Sequence, residues 1–494
     1  MKGTKQLTVV IKLGTSSIVD EKTHEPLLSI LSLIVETAVK LRKDGHKVVI
    51  VSSGAIGVGL RRMKVDKRPK HLSKLQALAA IGQCRLISLW DSLFAHLQQP
   101  VSQILLTRND IADRSRYLNA QNTMAELLDM GVIPIVNEND TLAVAEIKFG
   151  DNDTLSAITA AMVHADFLFL MTDVDCLYDK NPRTHPDAQP IIEVEDIGAI
   201  QADVSSAGSS LGTGGMGTKI VAARLATSAG VTTIITRSSR PGNIVKIVHY
   251  LQATKSISIS TSASQSSLSR ANHATDEGTT TVAAAASTEA LSHSTASLTL
   301  DVLEEPPLHT RFLPLSTPIR DRYFWLLHGL APHGTLYIDA GAHAALSGKA
   351  GLLPVGVLDI EGNFAQQEAV RLVVVDRRTT TTSLDANPTA PPHSSASTPR
   401  SSTPVPVSVA ARWEACNPVE VGRALVNYAA PEIARIKGHR SAKIGELLGY
   451  ADSEYVAHRE NISLFRRESR PVSPVLDVAA NISGVAGYEA GSAV

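Results

Sequence analysis

Cysteine is scarce in this sequence, and its three cysteines, Cys84, Cys176 and Cys416, lie far apart without paired spacing. This pattern argues against a disulfide framework or a zinc ribbon and predicts a reducing, cytoplasmic environment. No apolar run approaches the ~18 residues that a membrane helix needs, so we expect no membrane contact. The formal net charge of −1 gives no overall attraction to nucleic acid or to an anionic membrane.

Several catalytic motifs are also missing. The sequence has no His-Glu-x-x-His pair, no Gly-x-Ser-x-Gly elbow and no cysteine beside a histidine in a nucleophile context. These absences argue against a zinc peptidase, an α/β-hydrolase and a cysteine hydrolase.

A regular alternation of strands and helices fills the first 250 or so of the 494 residues. Short β-rich runs predict strands at Leu7–Leu13, Lys47–Val51, Val101–Leu106, Val132–Val136, Asp166–Thr172 and Thr232–Thr236. Apolar residues at helical spacing predict helices at Leu27–Lys43, Lys74–Leu97, Tyr117–Met130 and Asp153–Val163. This alternation predicts an α/β fold, in which helices sandwich a mostly parallel sheet.

Composition divides the rest of the chain. A Ser/Thr/Ala-rich stretch at 254–312 is too poor in large apolar residues to form a core, so we interpret it as a linker. Residues 313–465 form a small β-rich second domain, which a Thr/Ser/Pro-rich insertion interrupts at 379–411. The expected domains are therefore a catalytic domain at 1–253, this second domain, and a flexible tail at 466–494.

The segment 212–219 reads Gly-Thr-Gly-Gly-Met-Gly-Thr-Lys and nearly fits two phosphate motifs. It lacks the Gly-Lys-Ser/Thr ending of a Walker A loop. It also lacks the preceding strand and the following acidic residue of a dinucleotide fingerprint. Backbone N–H groups and a terminal lysine still suit a phosphate loop of another kind, with a glycine-rich surface turn as the alternative.

Polar residues follow several predicted strands, where a parallel sheet collects its ligands. They are Lys12, Val51–Ala55, Asn137–Asp140, Gly150–Asp153 and Thr172–Asp173. Taken singly, each has a structural alternative: an edge-strand lysine, a helix cap or a turn. Together with Lys219, the lysine and aspartates of these segments suit phosphoryl transfer from a magnesium nucleotide.

These segments resemble the amino acid kinase family, and within it the glutamate 5-kinases. The resemblance is carried by Val10–Ser16, Val51–Ile56, Leu105–Asp110, Asn137–Asp140, Glu146–Asp153 and Gly212–Lys219. The region from about 320 to 464 resembles the PUA domain that follows the kinase domain in many members. Its motifs include Gly362–Phe364, Ile436–His439, Leu448–Tyr450 and Val456–Arg459.

The resemblance implies a role for each matching residue. Lys12 and Lys219 would contact the transferred phosphoryl group, and Asp153 would orient both lysines. L-Glutamate would be held by Ser53, Asp140 and Asn152. The remaining residues would line the ATP site beside the two lysines: Thr172, Asp173, Thr213, Gly214, Gly215, Met216, Gly217 and Thr218. Magnesium would bridge phosphate oxygens of ATP, and no residue is assigned as a protein ligand to a metal.

The implied reaction is ATP-dependent phosphorylation of the glutamate side-chain carboxylate, the first step of proline biosynthesis. The resemblance also implies inhibition by proline, a homo-oligomer and transfer of the product to glutamyl phosphate reductase. RNA binding by the PUA-like region is not expected, because that region has no dense basic stripe with aromatic platforms. The alternatives are a kinase acting on aspartate or acetylglutamate, and a non-catalytic RNA-binding or sensor protein.

Overall fold

The computed structural model describes residues 5–142, 152–200, 215–254, 305–319, 321–375, 413 and 417–465. Its first ten strands are β1 Thr8–Leu13, β2 Lys47–Ser52, β3 Val101–Leu106, β4 Ile133–Glu138, β5 Phe167–Thr172, β6 Leu177–Tyr178, β7 Pro190–Ile191, β8 Glu193–Val194, β9 Thr232–Arg237 and β10 Thr310–Phe312. Within these ranges, eight strands form one sheet in the order β3-β4-β2-β1-β5-β9-β10-β8. The six strands from β3 to β9 run parallel, and β10 is antiparallel to β9.

Helices cover both faces of this sheet. They are α1 Leu28–Lys43, α2 Ala55–Met63, α3 Leu72–Ala95, α4 Arg108–Ala112, α5 Arg114–Asp129, α6 Asn152–Met162, α7 Met216–Ser228 and α8 at 243–254. One core contains α1, α3 and α8 side chains, and the other contains α5, α6 and α7 side chains. Alternate β1 residues enter the two cores, Val10 in one and Val9 and Ile11 in the other. This two-sided burial explains why the strand is almost continuously apolar.

Two glycines allow α2 and α3 to pack with their backbones in contact. A Cβ added to Gly59 would lie 2.0 Å from the carbonyl oxygen of Leu78, and one added to Gly82 would lie 1.7 Å from that of Ala55. Only a residue without a side chain fits at either contact, so these glycines fix the approach of the two helices.

We expect Gly82→Ala to lower the free energy of unfolding by at least ~2 kcal/mol, since backbone must move to admit the methyl group. Urea denaturation provides the measurement. Gly445→Ala is the matched control, because its Cβ would meet no atom closer than 4.0 Å and it also lies in a helix. A loss no larger than that of the control would show that the two helices are not in backbone contact.

A second sheet follows in the C-terminal half. Its strands are β11 Gly334–Ile338, β12 Val357–Gly362, β13 Ala369–Val374, β14 Val419–Leu425 and β15 Ile462–Leu464. Their order is β12-β11-β13-β14-β15, and β11 and β13 form the parallel pair. Among the residues described in this half, three helices accompany the sheet: α10 Ala340–Ser347, α11 Ala430–Ile436 and α12 Ile444–Leu448.

The link between the sheets packs on the first of them. Helix α9 (Asp321–Phe324) leads into a π-helical turn at Trp325–Gly329. Phe324, Trp325 and Leu326 belong to the same core as α5, α6 and α7. Within the described ranges, no helix combines the length and the apolar content that crossing a bilayer requires.

The predicted fold class is confirmed: a mostly parallel sheet lies between helices, and a smaller sheet follows. The six predicted strands and four predicted helices of the first region all form, with ends shifted by up to three residues. The structure differs from the predicted linker at its end, because Thr310–Phe312 pairs with β9 and with β8. Phe312 is fully buried. Burial of its apolar side chain stabilises this short strand, although the stretch before it is poor in apolar residues. Residues 255–304, the insertion at 379–411 and the tail at 466–494 lie outside the described residues.

Candidate active site

Two lysines from distant parts of the chain contact one buried carboxylate. Asp153 is fully buried, and its Oδ1 forms an ion pair with the ammonium group of Lys12. Its Oδ2 lies 3.4 Å from Nζ of Lys219 and accepts a hydrogen bond of 2.7 Å from the Thr218 hydroxyl. The side chains of Lys12 and Lys219 are only 4% and 9% exposed. The structure therefore places the three residues predicted to be catalytic in direct contact.

The fold brings these residues together at the carboxyl edge of the first sheet. Lys12 is the fifth residue of β1, which pairs with β2 on one side and β5 on the other. The alternative of an edge-strand lysine is therefore wrong. Asp153 lies in the first turn of α6, and Lys219 lies in the first turn of α7. The N-termini of two helices, each with a partial positive charge, therefore adjoin both ammonium groups. This concentration of positive charge favours binding of an anion.

The glycine-rich segment enters this cluster as a helix start. Helix α7 begins at Met216, so Met216, Gly217 and Thr218 belong to its first turn and not to a loop. The Thr218 hydroxyl accepts a hydrogen bond of 3.0 Å from the backbone N–H of Gly215. Thr213 and Gly214 lie outside the described residues.

The lysines determine the protonation state of Asp153. Burial alone would raise the pKa of this carboxyl, but the charges of Lys12 and Lys219 and the hydrogen bond from Thr218 lower the pKa to about 2. Asp153 is consequently ionised throughout the neutral range and cannot accept a proton there.

This lowered pKa makes stability depend on pH. Because the folded pKa lies below the usual value of 3.8, the ionised carboxylate stabilises the fold above about pH 4 and loses this effect as pH falls towards 2. We expect the stability advantage of the unsubstituted protein over Asp153→Asn to narrow by about 1 kcal/mol between pH 6 and pH 3. Urea denaturation at each pH measures it, and an advantage that stays constant or widens would contradict the assignment.

A second polar cluster adjoins the first through Asn152. The amide nitrogen of Asn152 donates to Oγ of Ser53 at 2.8 Å and to Oδ1 of Asn137 at 3.0 Å. Asn137 in turn donates to Oε1 of Gln83 at 2.9 Å. The carbonyl oxygen Oδ1 of Asn152 is buried and has no hydrogen-bond partner. An acceptor left unpaired in a polar cluster is a place for a ligand's donor group.

The alternative interpretation of Ser53 as a helix cap is also wrong. Helix α2 has Gly54 at its N-cap, in the left-handed region with φ of 100°, and no side chain caps it. The hydroxyl of Ser53 accepts from Asn152 instead. The sequence does not single out Gln83, because it lies within the long apolar pattern of α3, where nothing distinguishes it from a surface residue.

The other predicted residues lie at neighbouring strand ends. Thr172 ends β5, and its hydroxyl donates to Oδ1 of Asp173 at 3.2 Å. Asp173 also pairs with Arg183, and both side chains are more than half exposed. Asp140 follows β4 by two residues and is partly buried. These residues share the carboxyl edge of the sheet with Lys12.

Sequence comparison relates this chain to known proteins. The sequence model of the Amino acid kinase family matches residues 7–237. A probable glutamate 5-kinase of Schizosaccharomyces pombe is 49% identical over 459 residues, which is 92% of this chain and 93% of that protein. A glutamate 5-kinase of Rippkaea orientalis is 38% identical, across 92% of this chain and 99% of that protein. An uncharacterized protein of Saccharomyces cerevisiae is 45% identical, across 93% of this chain and 99% of that protein. The chain therefore belongs to the glutamate 5-kinase family of amino acid kinases.

Proposed function

We propose that this protein transfers the terminal phosphoryl group of ATP to the side-chain carboxylate of L-glutamate, giving L-glutamyl 5-phosphate and ADP. The observation that carries the proposal is the contact of two buried ammonium groups with one carboxylate at the ligand-binding edge of the sheet. Glutamate 5-kinases among the similar proteins support the choice of acceptor.

The two lysines supply the charge that the reaction needs. Both reacting groups are anionic, so a carboxylate approaches a phosphate only where positive charge offsets the repulsion. Lys12 approaches from β1 and Lys219 from α7, and Asp153 holds both ammonium groups in place. The two lysines and Asp153 together have a net positive charge. They lie in a buried site, where electrostatic attraction is stronger than in water. Catalysis then consists of alignment and neutralisation of the transferred group.

Asp153 is a positioning group in this scheme and not a base. The side-chain carboxylate of glutamate is ionised near neutral pH, so its attacking oxygen has no proton to lose. Asp153 itself, with a pKa of about 2, could not take one.

Magnesium is proposed to arrive with the nucleotide. Among the described residues, no group of three histidine, cysteine or acidic side chains could hold a metal ion. Asp153 does not fit a metal either, because both of its oxygens already face ammonium groups. We therefore treat MgATP as the substrate, in which magnesium would offset phosphate charge. The N-terminal turn of α7, together with Thr172 and Asp173, is proposed to form the nucleotide site.

Glutamate is proposed to bind at the polar cluster of Ser53 and Asn152 together with Asp140, which follows β4. The unpaired Oδ1 of Asn152 can accept a hydrogen bond from the substrate's ammonium group. The Asp140 carboxylate supplies a charge of the opposite sign. A recognised ammonium group would disfavour acetylglutamate, whose nitrogen is acylated and uncharged.

We expect Asn152→Ala to raise KM for glutamate about 10- to 100-fold, the range for one hydrogen bond to a charged group. KM for ATP should change little, because the substituted side chain contacts Ser53 and Asn137 and not the lysines. Steady-state kinetics with each substrate varied in turn measures both constants. Asn119→Ala, on the exposed face of α5, is the control. An equal rise in both KM values would contradict a glutamate-specific role.

Glutamate-dependent ADP release, with the acyl phosphate trapped by hydroxylamine, tests the proposed function. Aspartate and acetylglutamate in the same assay test the related kinases. Equal turnover with either acid would overturn the choice of glutamate, and no turnover with any acid would favour a non-catalytic protein.

Three further features are inferred from family membership alone. We infer that proline inhibits by overlapping the glutamate site, that the protein is a homo-oligomer, and that a reductase consumes the labile acyl phosphate. A cytoplasmic location, expected from the scattered cysteines, also stays a prediction.

A further inference from the structure

Three arginines that the proposed function does not use meet where the two sheets adjoin. We name Arg108, Arg371 and Arg423 the junction arginines. Arg108 begins α4, directly after β3 and the residue Thr107. Arg371 on β13 and Arg423 on β14 are directly opposed in the antiparallel pairing of these strands.

The π-helical turn Trp325–Gly329 connects the two sides of this junction. The indole N–H of Trp325 donates to the carbonyl oxygen of Ile111 in α4 at 2.9 Å. On the other side, Nη1 of Arg423 donates to the carbonyl oxygen of Leu330 at 2.7 Å. The turn therefore holds the helix of Arg108 close to the strand of Arg423. π-Helical turns occur frequently at functional sites.

The positive charge of the junction exceeds the negative charge of the carboxylates around it. The side chain of Arg423 is 19% exposed, and its Nε is buried without a hydrogen bond. Glu420, with an oxygen 3.8 Å from that Nε, is the one carboxylate within ion-pair distance of a junction arginine among the residues that the structure describes. Burial lowers the pKa of Arg423, Glu420 opposes this, and the charges of Arg108 and Arg371 lower the pKa further.

His328 adds no charge of its own. Burial, assisted by the charge of Arg423, lowers the pKa of His328 to about 3, so its imidazole is neutral near pH 7. Burial also lowers the pKa of Arg108. The positive charge of the junction therefore belongs to the three guanidinium groups.

This arrangement costs free energy unless an anion offsets it. Like charges directly opposite each other in a sheet destabilise the pair. A buried guanidinium nitrogen without an acceptor is a further cost. The planar fork of arginine matches the oxygens of phosphate in two parallel hydrogen bonds, which lysine cannot form. Three such groups, one from α4 and two from the second sheet, suit a small tetrahedral oxyanion.

We propose that the junction arginines form an anion site, separate from the ATP site, that binds a phosphate group and links the first sheet to the second. The site draws one ligand group from α4 and two from the second sheet. Binding there stabilises the contact between the two halves of the protein, because the anion binds the assembled junction only.

Titration of the full-length protein with inorganic phosphate, followed by calorimetry, tests the site. Saturating MgADP fills the ATP site, and a chloride buffer free of phosphate and sulfate avoids competing oxyanions. We expect Arg371→Met and Arg108→Met each to weaken phosphate binding about 10- to 100-fold, the range for losing one charge-assisted hydrogen bond. Arg440→Met, at an exposed arginine of the second domain, should bind phosphate like the unsubstituted protein.

Thermal unfolding separates a ligand from a structural role. Phosphate should raise Tm of the unsubstituted protein and of Arg440→Met, but not of Arg371→Met. Without phosphate, Arg371→Met should unfold at the same Tm as the unsubstituted protein or above it, because a like-charge repulsion is removed. Arg371 is exposed, so this variant is expected to fold even if Arg108→Met does not.

Three results would overturn the site. They are equal phosphate affinity in all variants, no binding at concentrations on the order of 10 mM, and an equal loss of Tm in Arg371→Met with and without phosphate. Ribose 5-phosphate serves as a second probe: equal affinity identifies free phosphate as the ligand, and tighter binding identifies a phosphomonoester. This test of the site is independent of the proposed function. If the protein bound phosphate through these arginines but had no kinase activity, only the kinase assignment would be refuted.

Discussion

Replacing Lys219 with methionine should lower kcat for glutamate-dependent ADP formation at least ~100-fold, the scale of losing one donor to the transition state. Methionine retains most of the buried volume of lysine and removes its charge. Asp153 keeps its ion pair with Lys12 and its hydrogen bond from Thr218, so the carboxylate is not left without partners. We therefore expect the variant to fold and to lose rate much more than stability.

Lys5→Met is the matched control for this variant. Lys5 also pairs with an aspartate, Asp166, at 3.2 Å, but the pair precedes β1 and β5 and lies at the opposite edge of the sheet. Its side chain is 77% exposed, so its removal should leave kcat unchanged. Near-normal turnover of Lys219→Met would refute the role given to this lysine, because methionine has no charge with which to replace it.

Asp153→Asn should reduce both activity and stability. The substitution leaves two buried ammonium groups without their counter-charge, and breaking a buried ion pair in this way costs about 3–5 kcal/mol. The lysines would also lose their common anchor, so kcat should fall by roughly 100-fold or more even where the variant remains folded. Urea denaturation and steady-state kinetics on the same preparation measure the two effects.

Asp129→Asn is the corresponding control. Asp129 pairs with Lys47 at 2.6 Å, but its side chain is 64% exposed. An exposed pair of this kind contributes about 1 kcal/mol or less. If Asp153→Asn were no more destabilising than Asp129→Asn and retained full turnover, Asp153 would neither anchor the lysines nor stabilise the fold.

The sequence predicted the sheet and its helices well because local pattern decides them. Strands such as Phe167–Thr172 are apolar on both faces, and helices such as Leu28–Lys43 have a broad apolar stripe. The rule that ligands gather at the carboxyl ends of parallel strands then located Lys12 and Asp153 in one region.

The remaining features depend on contacts that no local pattern contains. Helix α2 begins with Ala-Ile-Gly-Val-Gly, which is poor in helix formers, and it is stabilised by close packing against α3. Strand β10 follows a stretch without strand character and pairs only because the edge of the first sheet accepts it. The hydrogen bond between Asn137 and Gln83 joins residues 54 positions apart. Tertiary contact alone identifies such partners.

A crystal structure with MgADP, aluminium fluoride and glutamate would test the central claim most directly, since the fluoride complex imitates the phosphoryl group in transfer. We predict that the ammonium groups of Lys12 and Lys219 both lie within about 3 Å of that group, with glutamate on the opposite side and Asp153 behind both lysines. If either lysine pointed away from the fluoride complex while nucleotide and glutamate were in place, the account of catalysis would be contradicted.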